Sequence, residues 1–312
     1  MKKMTLAAWL LLSLLSCKLQ PESDRNFDSK KIYKLQLKPA PGSVYQYEIN
    51  NETSMDLEAE GREVSSLNKS SIDLNYAVTE DSAGNFVFTT TYEKVKIFAR
   101  NGDTETAMSS DNAAITADPV ERMLGILKNA TIIATMNPKG EVIRISGYKE
   151  LGDRLLAGFA PDDEMGRHMA QQQWEKSIGN GMVKNTLDQL FKFFPDSAIH
   201  VGDTWKIDTK QLGQLPMTVK TIYTLKAIND DVAIISSKGI IASDGSSSEV
   251  FGYNAAAANL KGEQSGELQV DTKTGMLING TIEANIDGKV QVMGREIPVE
   301  IKSAVKMKGA KK

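Results

Sequence analysis

The sequence predicts an α+β fold dominated by β-structure, with long curved antiparallel hairpins in two loosely repeated halves that form a half-barrel or barrel-like sheet. Three observations support this fold. Apolar and polar residues alternate over unusually long runs, a Gly-Arg-Glu string divides each of two such runs, and helical spacing is confined to one central segment and one short stretch before it. We therefore expect one apolar sheet face that is backed by few helices.

The first long hairpin is predicted within residues 45–78. Odd positions of residues 45–59 carry apolar side chains and even positions carry polar ones, which is typical of a strand with one wet face. The apolar members are Tyr45, Tyr47, Ile49, Met55, Leu57 and Ala59. After a turn at 61–62 the apolar phase moves to even positions, and a later change of phase predicts a β-bulge near Glu93 and Lys94.

A second long hairpin is predicted near the C-terminus. Even positions from Met276 to Val292 are apolar or small, and odd positions from Ile297 to Met307 continue the apolar face beyond a "GREI" turn. The string "GREV" divides the first hairpin in the same way. Three further pairs of strings are alike: 42–49 with 202–208, 75–88 with 222–235, and 135–143 with 269–278. Either the two halves arose by duplication, or generic hairpins resemble one another.

Helices are expected in two places. Residues 119–128 are predicted to form one short capping helix, because Asp118 suits the N-cap and Pro119 the first helical position. Apolar residues take helical spacing in a central segment, 148–195. By contrast, residues 242–264 show no sustained period and are predicted to form a loop.

The first residues have the features of a secretory signal. Two lysines precede the apolar run Thr5–Leu15, which is too short to cross a membrane as a helix. The string "LLSC" at 14–17 resembles a bacterial lipobox, with small Ser16 before the cleavage point and the only Cys of the chain after it. Cys17 is therefore the predicted lipidation site, and the bond between Ser16 and Cys17 the predicted cleavage site. An ordinary signal peptide with a chance Cys, or a short core helix, is the alternative.

Lipidation at Cys17 would anchor the chain to a membrane. A thioether-linked diacylglycerol carries two chains, enough for stable anchoring, and a further acyl chain such as palmitate would occupy the new amino group. Lys18 follows the Cys, and the Asp that favours inner-membrane retention is absent, so the outer membrane of a bacterial envelope is favoured.

These features divide the chain into five segments. The segments are a lipoprotein signal peptide at 1–16, a lipidated tether at 17–31, an N-terminal β-rich half at 32–147, a helical segment at 148–195 and a C-terminal β-rich half at 196–312.

Composition and motifs offer little material for catalysis. The 37 basic residues include two lysines of the signal, so the mature chain has 35 against 40 acidic residues, a balance that argues against nucleic acid as a partner. Only two histidines exist, His168 and His200, and each is expected on a solvated face or loop, although Asp203 could orient His200. No pattern for a metal, nucleotide or nucleophile site is present, so we expect no enzymatic activity, no metal and no cofactor.

Four strings carry a resemblance to a known family. "GSVYQYEI", "MNPKGEVIRISG", "FFPDSAIHVGDTW" and "GELQVDTKTGM" resemble the recurring elements of an uncharacterised family of bacterial envelope lipoproteins. The resemblance covers most of the mature chain and implies an anchored, β-rich protein without an assigned reaction, so it supplies no catalytic residue. At the level of fold, long curved hairpins backed by helices are also similar to envelope carriers that hold lipids or lipoproteins.

Three functions follow from these features. The first is a non-enzymatic envelope lipoprotein that binds a hydrophobic ligand, a lipid or acyl chain, in an apolar concavity of its sheet. The second is an interaction or scaffold lipoprotein that binds another envelope protein. The third, an envelope hydrolase, has the least support in side chains. The ligand-binding residues are not predictable from the sequence. The first two functions differ in whether the helices fill the concavity completely.

The lipidation site gives the first prediction. Cys17→Ala is expected to abolish lipid labelling and to stop removal of the signal peptide, because the lipid-dependent peptidase requires the modified Cys. Metabolic labelling with a fatty-acid analogue measures this directly. Labelling that survives the substitution would contradict the lipoprotein interpretation.

Overall fold

A computed structural model describes most of the chain and shows a β-dominated fold. The described residues are 31–59, 62–112, 119–128, 130–159, 179–211, 216–243, 248–250, 253–292 and 295–312. Within them, thirteen strands form one antiparallel sheet. The β-strands are β1 Val44–Ala59, β2 Arg62–Glu80, β3 Phe86–Asn101, β4 Thr104–Ser109, β5 Thr131–Met136, β6 Val142–Ser146, β7 Thr204–Gln211, β8 Met217–Asn229, β9 Val232–Ser243, β10 Ser248–Val250, β11 Tyr253–Asp271, β12 Leu277–Val292 and β13 Arg295–Lys311. The described α-helices are α1 Pro119–Lys128, α2 Tyr148–Phe159 and α3 Gly179–Phe191, and residues Ser110–Asn112 form a short 3₁₀ helix.

The sheet is an up-and-down meander in which most strands pair with their neighbours along the chain. Its order is β6-β5-β3-β2-β1-β13-β12-β11-β9-β8-β7, with β4 beside β3 and β10 beside β11. The first and last strands, β1 and β13, pair at the centre from Tyr45↔Lys311 to Leu57↔Val299. The N-terminal and C-terminal halves therefore share one continuous sheet. Whether the halves arose by duplication stays a prediction.

The two edge strands, β6 and β7, lie on either side of the helical insertion. Both α2 and α3 belong to the connection from β6 to β7, and α3 contacts both of these strands. The sheet must therefore curve so that its two edges approach the same helix. This open, curved sheet agrees with the predicted half-barrel form. Within the described residues, none of the helices combines the length and hydropathy that a bilayer-spanning helix requires.

An aromatic cluster fixes α3 against the inner face of the sheet. Phe191, at the end of α3, is fully buried, and its ring centroid lies 5.2 Å from that of Phe88, 5.9 Å from that of Tyr76 and 6.3 Å from that of Tyr47. Tyr47 also donates a hydrogen bond of 3.0 Å from its hydroxyl to the carbonyl of Leu277. Three neighbouring strands, β1, β2 and β3, thus present aromatic rings to one helix residue, in the edge-on and tilted arrangements that aromatic pairs prefer.

The turn between β5 and β6 packs directly on the end of α3. Gly140 has φ +76°, and a Cβ at this position would stand 2.0 Å from the carbonyl oxygen of Phe191. Only glycine permits both this backbone conformation and this approach. On the opposite edge, the indole of Trp205 in β7 donates a hydrogen bond of 2.9 Å to the carbonyl of Phe193. Both edges of the sheet are thereby joined to the same helix terminus.

Several expectations from the sequence are confirmed. The long hairpin of β1 and β2 pairs from Val44↔Ala77 to Ala59↔Arg62, and α1 occupies 119–128. The register shift of β2 against β3 leaves Glu93 as the extra residue of a β-bulge, since Leu74 pairs with Tyr92 and Asp73 with Lys94. Asp118, the predicted N-cap, lies outside the described residues.

Two expectations are wrong. The loop predicted at 242–264 is largely strand, because β9 continues to Ser243 and β11 begins at Tyr253. The inward positions of β11 include Gly262, Gln264 and Gly266, which are small or polar and therefore leave no apolar period in the sequence. Val64, the first apolar residue at an even position after the turn predicted at 61–62, continues the apolar phase but is 45% exposed at the far end of its hairpin.

The aromatic cluster gives the second prediction. Phe191→Ala is expected to lower the free energy of unfolding by about 3–5 kcal/mol, because it removes a buried ring that contacts three strands and leaves a cavity. Lys192→Ala, at the next position and half-buried, is the matched control and should cost under about 1 kcal/mol. Denaturant melts of both variants measure the difference. Equal losses would show that α3 does not depend on this cluster.

Candidate ligand-binding cavity

The described residues line a cavity of about 240 Å³ between α3 and the inner face of the sheet. Seven strands contribute to it: β1, β7, β8, β9, β11, β12 and β13. Asn185, Asp188 and Gln189 of α3, with Lys192 just after the helix, form the opposite wall. Pockets that bury a drug-sized ligand usually measure ~300–1,000 Å³, so this cavity is suited to a narrow ligand such as a single chain.

A row of small and polar residues crosses the sheet through the cavity. Direct register pairs connect its members from strand to strand, and we refer to them as the polar row. The polar row consists of Thr221 in β8, Gly239 in β9, Gln264 in β11, Ala284 in β12, Ser303 in β13 and Thr53 in β1. Their neighbours along each strand, such as Lys220, Glu263 and Lys302, are exposed on the outer face, so the polar row points inward.

The rows on either side of the polar row carry most of the apolar side chains that line the cavity. One row, nearer to the aromatic cluster, contains Tyr223, Ser237, Gly266, Ile282, Val305 and Asn51 in register. The row on the other side, nearer to the hairpin tips, contains Val219, Ile241, Gly262, Ile286, Ile301 and Met55. The latter belongs to a second hydrophobic cluster, separate from the main core. The cavity therefore has apolar surface at both ends and polar groups between them.

Gln264 occupies the centre of the polar row because Gly239 leaves room for it. A Cβ on Gly239 would stand 2.7 Å from the Cγ of Gln264. The Gln264 side chain lies across this glycine and donates a hydrogen bond of 3.0 Å from Nε2 to Oγ1 of Thr221. This bond crosses from β11 to β8 over β9, so it holds the amide in a fixed position in the cavity wall.

Hydroxyl groups extend the polar row toward β1. The hydroxyl of Thr53 donates to Oγ of Ser303 over 3.2 Å, and both lie 3.5 Å from Oδ1 of Asn51. Ser237, in the neighbouring row, is only 4% exposed and also lines the cavity. These groups are neutral and can both donate and accept hydrogen bonds.

The wall of the cavity that α3 forms contains a buried carboxylate. Asp188 is 8% exposed and pairs with Lys184 one turn earlier in α3. Burial raises the pKa of Tyr223 to about 12, a hydrogen bond with Thr221 opposes this shift, and the negative charge of Asp188 adds to it. The ring of Tyr223 also stacks on Trp205, with centroids 5.7 Å apart. Asp188 and Tyr223 therefore face each other across the cavity.

None of the residues singled out in the sequence is among the described residues that line this cavity. Cys17, Ser16 and His168 fall outside the described residues. His200 lies on a partly exposed turn. Its backbone amide donates a hydrogen bond of 2.8 Å to Oδ2 of Asp203, and its Nδ1 lies 3.3 Å from the same oxygen. These hydrogen bonds lower the pKa of Asp203, the backbone bond first. Asp203 therefore orients His200, as the sequence allowed, but the pair stands apart from the cavity lining.

The sequence contains a signal for the polar row. The apolar phase of β1 breaks at Asn51 and Thr53, and the phase of β13 breaks at Ser303. Each interruption by itself does not indicate a site. Thr53 and Ser303 are direct register partners, however, so the interruptions coincide in space.

Tyr223 gives the third prediction. Between pH 10 and 12 the unfolded chain loses the Tyr223 proton while the folded chain keeps it, so the free energy of unfolding falls as pH rises through this window. Asp188→Asn is expected to lower the pKa of Tyr223 without returning it to 10.0, since burial, the larger cause, remains. Tyrosinate absorbance, referred to Tyr223→Phe, follows the titration.

The control for this titration is Asp196→Asn, which removes a carboxylate that is 86% exposed and does not line the cavity. It should leave the pKa of Tyr223 unchanged. An unchanged pKa in Asp188→Asn as well would mean that the carboxylate and the phenol do not interact.

Comparisons with known proteins give a family but no function. A comparison with curated proteins finds no match. Among solved structures, lipovitellin shares 8% identity at a TM-score of 0.48, with 87% of this chain and 25% of that chain covered, so the present chain spans about a quarter of its length. An outer membrane channel from Pseudomonas putida F1 shares 8% identity at a TM-score of 0.24, with 88% of this chain and 98% of that chain covered. A putative outer membrane lipoprotein-sorting protein domain from Vibrio parahaemolyticus shares 8% identity at a TM-score of 0.14, with 82% of this chain and 83% of that chain covered.

These TM-scores lie below 0.5 and do not establish a shared fold or function. The family profile, in contrast, matches residues 83–277, from the turn before β3 to the start of β12. It includes α3 and most strands that line the cavity. The chain belongs to this family of unknown function, DUF6263.

Proposed function

We propose that this protein is a membrane-anchored envelope lipoprotein that binds a hydrophobic ligand, a lipid or acyl chain, in the cavity between α3 and the sheet. The observation that carries the proposal is the cavity itself, with Ile282 and Val305 near one end and Ile286 and Ile301 near the other. Concave, largely apolar sites with a few placed polar groups are the usual form of small-molecule sites.

The coverage of the sheet by α3 supports ligand binding over simple core packing. Leu187, Leu190 and Phe191 are each at most 2% exposed and fill the concavity at the aromatic end. Toward the hairpin tips the helix instead presents polar Asn185, Asp188 and Gln189, and the cavity lies below them. The helix therefore fills only part of the inner face, which leaves room for a chain.

The side chains of the cavity support binding rather than catalysis. Neither His nor Cys is among the described residues that line it, and its one carboxylate, Asp188, is paired with Lys184. The described residues also contain no group of three or more His, Cys, Asp or Glu placed to hold a metal ion. We propose a non-enzymatic protein that needs no cofactor and does not bind nucleic acid.

The anchor completes the proposal. Cys17 would carry the lipid, with the outer membrane favoured because Lys18 follows it. The described chain begins at Lys31, so a tether of about fourteen residues would separate the lipid from the fold. A protein anchored in this way could receive or present a ligand at a membrane surface while its own fold remains outside the bilayer.

A second function has one specific observation in its favour. Ile222 and Ile240 are 45% and 67% exposed on the outer face of β8 and β9, next to edge strand β7. Exposed large apolar residues that lie together can mark a contact with another protein. The alternative proposal is therefore a scaffold lipoprotein that binds another envelope protein on this outer face.

Filling the cavity gives the fourth prediction. Ala284→Phe places a ring in the middle of the polar row and should weaken binding of an apolar fluorescent probe about tenfold or more, because the ligand and the ring would compete for the same space. Glu283→Phe adds the same ring to the outer face one residue away and is the matched control. Probe titrations use the chain from Lys31 onward, which contains every described residue, and circular dichroism verifies that each variant is folded.

The outcomes separate the two functions. Loss of probe binding in Ala284→Phe alone, with displacement of the probe by a natural lipid from the unsubstituted chain, supports the cavity. Equal binding by both variants would contradict it. If the folded protein instead captures one envelope protein, and Ile240→Ser abolishes the capture, the scaffold function replaces the carrier function.

A further inference from the structure

Two polar groups in the cavity wall have hydrogen-bonding capacity that the described protein does not use. Ser237 is 4% exposed and lines the cavity, yet its hydroxyl has no hydrogen-bond partner among the described residues. Nε2 of Gln264 donates a hydrogen bond to Thr221, while its Oε1 accepts no hydrogen bond within the described part of the chain. Neither oxygen belongs to the fully enclosed side-chain atoms without a partner, which among the described residues are the Tyr45 hydroxyl and Oδ1 of Asn75, so both remain accessible from the cavity. A ligand group placed there can use their hydrogen-bonding capacity.

The position of these groups constrains the ligand. Gln264 lies in the polar row and Ser237 in the row beside it, on β9 next to Gly239. Apolar side chains line the cavity on both sides: Ile282 and Leu268 toward the aromatic cluster, Ile286 toward the hairpin tips. A chain that lies along the strands would thus have apolar segments on both sides of a polar contact. The polar group of the ligand would therefore occur part-way along the chain rather than at its end.

The surroundings of the polar row disfavour an ionised group at this contact. Asp188 is buried in the opposite wall and already has a partner in Lys184. A carboxylate or phosphate placed against the polar row would lose its hydration and face a like charge. Two lysines line the cavity: Lys192 lies just after α3, and Lys210 lies on edge strand β7. The Lys192 ammonium donates a hydrogen bond of 3.2 Å to the carbonyl of Asp208. An uncharged group is therefore favoured at the polar row.

A hydroxyl satisfies both protein groups together. It can accept the hydrogen bond that Ser237 donates and can itself donate to Oε1 of Gln264. An ester carbonyl only accepts, and would leave Oε1 of Gln264 without a donor. We infer that the ligand is a single acyl chain that carries a hydroxyl group part-way along its length, and that Ser237 and Gln264 bind this hydroxyl; this inference rests on the proposed function and specifies its ligand.

The test compares two competitors that differ only in the hydroxyl. The full chain, solubilised from membranes in detergent, is labelled with a photoreactive, alkyne-tagged palmitate. Stearate and a mid-chain hydroxystearate then compete for labelling. Hydroxystearate should compete about tenfold more strongly, the magnitude expected for one or two added hydrogen bonds in a buried site. Ala284→Phe provides the background labelling of a filled cavity.

Variants of the two binding residues test where the preference arises. Ser237→Ala and Gln264→Leu should each reduce the preference for hydroxystearate severalfold. Ser236→Ala removes the same hydroxyl from the next residue of β9, whose side chain points to the other face, and should keep the preference. Ser237→Ala is the smaller change, so it decides the outcome if Gln264→Leu does not fold.

Each remaining outcome has one meaning. Equal competition by stearate and hydroxystearate in the unsubstituted chain, above the Ala284→Phe background, overturns the inference and leaves the proposed function standing. A preference that survives in Ser237→Ala and Gln264→Leu overturns the assignment to these residues. Labelling that neither competitor reduces, and that Ala284→Phe does not lower, overturns the proposed function together with the inference.

Discussion

The contact between Phe191 and the aromatic residues of β1, β2 and β3 is the interaction on which the rest of the structure depends. An open sheet with one apolar face has to cover that face, and in this protein the cover is a helix from the connection between the two edge strands. Phe191 brings the helix terminus onto Tyr47, Tyr76 and Phe88, and the glycine turn at Gly140 fits against the same point. Since both β6 and β7 contact α3, the position of this terminus also sets how far the sheet curves.

The same arrangement explains why a cavity exists. A helix of thirteen residues is about 20 Å long, whereas β1, with sixteen residues, extends about 50 Å, so α3 cannot cover the whole inner face. Its apolar side chains concentrate at the end that carries Phe191, and its polar side chains face the polar row. A second hydrophobic cluster, with Ile286 and Val299, closes the inner face nearer the hairpin tips. The cavity is the interval between two well-packed regions, and its polar wall prevents them from merging into one core.

The sequence predicted the parts of this fold that depend on local pattern. Alternation revealed the hairpins of β1, β2, β12 and β13, and a single phase change located the bulge at Glu93, because a strand has to repeat every second residue. Pattern failed in β11, where Gly262 and Gly266 replace the large apolar residues that mark an inward face. A concavity was expected from the long one-faced hairpins, but the polar row that lines it was not, because its members adjoin one another only through the register between distant strands. Thr53 and Ser303, 250 residues apart, become neighbours only when the terminal strands pair.

One side of the cavity lies at an edge of the sheet. Its lining includes Thr209 and Gln211 of β7, which pairs with β8 on one side and has α3 on the other. Separation of α3 from β7 would break the exposed hydrogen bond from Lys192 to Asp208 and the bond from Trp205 to Phe193, whereas separation of any two central strands would break a whole ladder. The aromatic cluster and the Gly140 turn lie at the other edge and would stay packed. If the cavity binds the proposed acyl chain, this edge is where the chain would enter with the fewest hydrogen bonds broken and without unfolding of the sheet.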